Sequence, residues 1–130
     1  MKKDITIPKV KDVYVAVVKE HTEENTSEWA VYLINDTGKD LETAIIVSEG
    51  YSKTKKTSTL RKKLDRLPKK SFAKLELIQE ELFGFTNQFK VSYFMEGQLF
   101  DKTFVFEPES IHSENLEVLP LIEDRGILAK

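Results

Sequence analysis

Short apolar stretches punctuated by turn-forming residues recur along the whole chain, and their length and spacing are those of strands. Val13 to Val18 (VYVAVV) and Trp29 to Ile34 (WAVYLI) are apolar at both parities, the pattern of strands covered on both faces, so both are expected at the centre with Trp29 at least half buried. Asn35-Asp36-Thr37-Gly38 follows as a turn, because Asn and Asp side chains bond their own backbone and Gly accepts positive φ. Leu41 to Val47 resumes with Leu41, Thr43, Ile45 and Val47 on one parity and Ala44 and Ile46 on the other. Phe72 to Ile78 sets Ala73, Leu75 and Leu77 against charges, and Phe89 to Met95 repeats the alternation. Glu96-Gly97 then joins two β-rich runs as a hairpin. In the second run, Gln98 to Phe106, Lys102 shares a face with Phe100, Phe104 and Phe106, where it snorkels to water or marks an edge strand.

Helix competes in two places. Leu60, Leu64 and Leu67 recur at helical spacing through TLRKKLDRL, but Thr57-Ser58-Thr59 and Pro68 tip this segment towards strand. Gln79 to Phe83 suits one helical turn stopped by Gly84.

About seven strands at this spacing predict an all-β, antiparallel two-sheet sandwich with immunoglobulin-like topology; a small barrel is the alternative. A chain of 130 residues has material for one core, so 1–130 is expected to be one domain. The segment 115–130 contains seven apolar residues (Leu116, Val118, Leu119, Leu121, Ile122, Ile127, Leu128), too many to leave in water, and is expected to pack on the body or on a partner subunit.

Several function classes fall away. With no cysteine there is no thiol chemistry, disulfide framework or cysteine-based zinc site. No apolar run approaches the roughly 20 residues of a membrane-spanning helix. Met1-Lys2-Lys3-Asp4 leads into no signal-peptide core, so a cytoplasmic location without membrane contact is expected. The two histidines, His21 and His112, lie beside acids but match no zinc spacing, and the polar sequence around them reads as surface loop. Adjacent carboxylates such as Glu23-Glu24 and Glu80-Glu81 point apart in extended structure and cannot share a proton. No Gly-x-Ser-x-Gly elbow and no glycine-rich phosphate loop occurs. No catalytic residue, cofactor or metal ligand is assigned. The phenylalanines, from Phe72 to Phe106, are expected in the core rather than around a lipid pocket.

Charge is the informative remainder. Between Lys53 and Lys70 stand nine basic residues (Lys53, Lys55, Lys56, Arg61, Lys62, Lys63, Arg66, Lys69, Lys70) and one acid, Asp65, a net of +8 that leaves −10 for the rest of a chain totalling −2. Tyr51, Thr54, Thr57, Ser58 and Thr59 add hydroxyl donors. No aromatic residue lies between Lys53 and Lys70, which favours polyanion contact over base stacking. The expected function is therefore a non-catalytic binding or adaptor module that meets an acidic partner through these nine residues. A nonspecific nucleic-acid-binding protein and a small enzyme are the alternatives, and a homo-oligomer remains compatible.

Trp29 to Asn35 (WAVYLIN), Lys56-Thr57-Ser58 with Leu60-Arg61, Asp101 to Phe106 (DKTFVF) and the ending Gly126-Ile127-Leu128-Ala129-Lys130 together make the chain resemble a family of short uncharacterised bacterial proteins. Some of these carry the label phenylalanyl-tRNA synthetase alpha subunit. The resemblance implies a compact family fold and no catalytic residue. A class II synthetase needs an ATP-gripping arginine and a glycine-rich motif ending in Glu-Arg, whereas Arg125 here follows Glu123-Asp124 without that glycine-rich stretch.

Overall fold

A computed structural model describes residues 8–130 of the chain. All seven expected runs form strands: β1 (Val13–His21), β2 (Ser27–Asn35), β3 (Leu41–Tyr51), β4 (Leu60–Leu67), β5 (Ser71–Ile78), β6 (Thr86–Met95) and β7 (Gln98–Phe106). An eighth, β8 (Gly126–Leu128), has three residues, too few for any alternation to show in the sequence. The strands build two antiparallel four-stranded sheets, ordered β5-β2-β1-β8 and β4-β3-β6-β7, and the sandwich is not closed into a barrel. Glu96 (φ 51°) and Gly97 (φ 76°) both take positive φ at the β6–β7 hairpin, as a two-residue turn matched to strand twist requires. The helical turn expected over Gln79 to Phe83 falls at Glu80–Leu82, and a second short turn of helix forms at Ser113–Asn115.

The two sheets face each other across Val15, Val17, Val31 and Leu33 on one side and Ala44, Ile46, Val91, Phe104 and Phe106 on the other, all buried. Trp29 is 5% exposed, with Phe83 edge-on to its ring. The outer face of the first sheet is also covered. Ala16, Val18 and Ile34 form a second apolar cluster with Leu119, which accounts for the apolar residues at both parities of β1 and β2. Within 115–130, Leu119 and Ile127 are buried and β8 pairs with β1, while Val118 stays 75% exposed. Gly126 is required where β8 meets β1, since a Cβ there would lie 2.5 Å from the Val17 carbonyl oxygen.

Two bulges reset the in–out alternation. Thr43 (φ 48°) interrupts the β3–β6 register between Glu42 and Ile45, so Leu41 and Ala44, three apart, both point inward. β4 follows β3 residue for residue (Leu41 opposite Leu67, Ala44 opposite Leu64), so Leu64 and Leu67 share that inward face. The helix-like spacing of the β4 leucines is thus the imprint of a bulge. In β5 the register shifts opposite Val31 and Tyr32, and Leu75 is left without a partner. Leu75 and Ile78 are both buried, while Leu77, expected to share the face of Leu75, turns outward and is 43% exposed. Phe72 and Phe94, expected in the core, lie on outer faces at 44% and 41% exposure, Phe72 against Tyr32.

The two lateral edges differ. On one, Val105 of β7 and Lys130 beyond β8 exchange two backbone hydrogen bonds of 2.9 Å, which ties the sheets together. On the other, β4 and β5 diverge from the Pro68-Lys69-Lys70 corner and leave a cleft between the sheets.

Candidate partner-binding edge

All nine sequence-singled cations are exposed and lie along the β4 side of the sandwich. Lys53, Lys55 and Lys56 occupy the loop before β4, Arg61, Lys62, Lys63 and Arg66 the strand, and Lys69 and Lys70 the corner after it. The loop is built locally. Ser52 accepts from the N–H groups of Thr54 and Lys55, Tyr51 bridges Lys56, and the Thr57 hydroxyl accepts from the Gly50 N–H at 2.7 Å. An eight-residue strand spans about 26 Å, so the cations form a stripe rather than a compact cluster.

The stripe is partly spent on the protein itself. Arg66 pairs with Asp40 at 2.6 Å, Lys70 with Asp36 at 3.0 Å, Lys56 with Glu49 at 3.3 Å and Lys63 with Asp65 at 3.7 Å. The Lys69 N–H, with Arg66 beside it, holds the Asp40 carboxyl below the usual carboxylate range. The Lys56 ammonium does the same for Glu49, helped by Thr59 and Gln88. Lys62 points inward and donates to the carbonyl oxygens of Lys74 and Leu75 at 3.3 and 3.0 Å. Lys53, Lys55, Arg61 and Lys69 make no ion pair among the described residues. Sequence reasoning missed Lys90. On the outer face of its sheet Arg61 and Lys90 flank Val47 from either side, and Lys63 sits beyond Ile45 in the next row. The alternation around Phe89 and Val91 turns Lys90 outward, but only the β3–β6 register reveals its neighbour.

Beneath the stripe lies the cleft. Two adjoining cavities of about 210 and 220 Å³ share Ser48, Leu60 and Glu76, with walls of Ile46, Leu75, Ile78, Leu82 and Phe89. Ser48 on β3 donates to Glu76 Oε1 on β5 at 2.7 Å, which joins the Lys62 contacts as a polar link across a largely apolar gap. The β5 bulge makes this possible, since Glu76 would face water if the alternation continued unbroken. His21 and His112 are both exposed; His21 ends β1 rather than lying in a loop, and His112 Nδ1 accepts from the Glu114 N–H. No group of three or more His, Cys, Asp or Glu that could hold a metal occurs among the described residues. Comparison with protein-family models, with curated proteins and with solved structures finds no match.

Proposed function

We propose that the chain is a cytoplasmic, non-catalytic binding or adaptor module that holds an acidic partner against its β4 edge. The observation that carries this reading is the row of cations with no ion pair among the described residues, Arg61 with Lys90 across Val47 and Lys53 and Lys55 at the end of the strand, beside an open apolar cleft. Charges not satisfied within the protein are free to steer and hold an opposite charge, and apolar surface next to them adds contact area. The strand order supports an immunoglobulin-like arrangement. That fold keeps its first, second and fifth strands in one sheet and its third, sixth and seventh in the other, as here. The fourth strand has joined the third, which sets Leu60–Leu67 at a free edge.

The test is binding of labelled polyglutamate, single-stranded RNA and duplex DNA to the whole chain over a range of salt concentrations, beside the Lys53→Glu, Lys55→Glu, Arg61→Glu, Lys90→Glu variant. Polyglutamate is expected to bind in a salt-dependent manner and the variant to lose it. Tighter binding of RNA or DNA replaces the acidic protein by a nucleic acid as partner, and no binding of any probe rejects the module.

A further inference from the structure

Resting on that reading of the β4 edge, we propose that the acidic partner docks as an extended segment that adds to β4 as a further strand, with its acidic and apolar side chains alternating. Among the described residues β4 pairs with β3 alone, so every second residue turns its N–H and C=O away from the sheet. Among the described residues, the main chain of 60–66 has no hydrogen-bond partner other than β3. The other edges are less available. Lys62 already occupies two carbonyls of the β5 edge, β8 has three residues, and β7 is tied to Lys130 at Val105. β4 is also the edge with the cations.

Register gives the side-chain pattern. Arg61 and Lys63 lie opposite Val47 and Ile45 and face outward, while Leu60 and Leu64 lie opposite Ser48 and Ala44 on the other parity, Leu64 against the core and Leu60, 54% exposed, at the rim of the cleft. A strand added about 4.8 Å from β4 carries one parity over Arg61 and Lys63, where carboxylates are favoured. Its other parity faces the cleft of about 220 Å³ walled by Ile46, Leu60 and Leu75, where apolar side chains are favoured. Glu76 sharpens the choice, because its carboxyl in that cleft opposes a second negative charge. A second copy of this chain does not fit the edge, since pairing β4 with β4 would oppose the Arg61, Lys62 and Lys63 cations of both copies.

The test uses the whole chain and three probes: a capped peptide of about nine residues alternating Val and Glu, matched to the length of β4, its backbone N-methylated form, and polyglutamate. The alternating peptide is expected to bind and to slow amide hydrogen exchange within residues 60–66. The N-methylated form keeps charge and side chains but loses donors, and is expected to bind at least about tenfold more weakly. Arg61→Ser with Lys63→Ser, both outward and exposed, is expected to weaken the alternating peptide by a similar factor. Equal binding of the two peptides with no protection of β4 overturns strand addition and leaves the acidic-partner reading standing. Failure of all three probes overturns both.

Discussion

Lys62 Nζ lies 3.0 Å from the main-chain oxygen of Leu75, so an inward-pointing lysine on the edge strand of one sheet caps the bulge in the edge strand of the other. This side chain, with the Ser48–Glu76 bond, links the sheets where backbone bonds do not, and it keeps the β5 edge from pairing with a foreign strand. The same residue belongs to the basic stripe, which therefore combines structural and unpaired cations.

Replacing Lys62 with Met removes both carbonyl contacts while keeping the stem that covers the cleft. The expected loss is about 1 kcal/mol of stability. Denaturant unfolding measures it, and light scattering on the same samples is expected to show more self-association as the β5 carbonyls are uncovered. A variant with unchanged midpoint and unchanged mass would mean that the link contributes nothing.

Asn35 is fully buried and joins two turns. Its Nδ2 lies 2.9 to 3.1 Å from the carbonyl oxygens of Lys39, Leu67 and Pro68, and its Oδ1 accepts from the N–H and hydroxyl of Thr37. Asn35→Ala strands those carbonyls and should cost about 3 kcal/mol. Asn35→Asp, which puts a buried charge against three carbonyls, should cost more. Equilibrium unfolding of the two variants checks both the size and the order.

Strands were legible in this sequence wherever period-two alternation ran uninterrupted, as in β6, where Phe89, Val91 and Tyr93 face the core. Bulges were not, because a parity reset at Thr43 or Leu75 leaves only a spacing of three, the same mark a helix leaves. Leu64 and Leu67 show this most plainly. The basic stripe was visible as composition, but its division was not: the partners Asp36, Asp40 and Glu49 come from the β2–β3 turn and from β3, and only the register brings them to the lysines and Arg66.

Gly126→Ala is expected to cost about 2 kcal/mol, since its Cβ meets the Val17 carbonyl and the Leu119 side chain. The effect should be local. Amide exchange of Ile127 and Leu128 should accelerate while the β1–β2 amides keep their protection; uniform loss across both sheets would show that β8 is integral to the whole fold.

Tyr93 is buried beside Phe100, and its hydroxyl has no hydrogen-bond partner among the described residues. Burial pushes its pKa up to about 12. The folded value lies above the ordinary value of 10.0, so the contribution to stability is complete below that pH and is lost as pH rises through about 12. Tyr93→Phe should therefore be at least as stable at neutral pH, gaining up to about 1 kcal/mol, and should lose less stability on alkaline titration. Unfolding followed at several pH values together with tyrosinate absorbance decides it.

The basic stripe as a docking surface is tested most directly by titrating the isotope-labelled whole chain with polyglutamate and mapping which amide resonances move. The account predicts shifts concentrated in residues 53–63 and around Lys90, shrinking as salt is raised, and absent when Lys53, Lys55, Arg61 and Lys90 are changed to Glu. Shifts centred on β7 and β8, or an affinity untouched by those four changes, would contradict it.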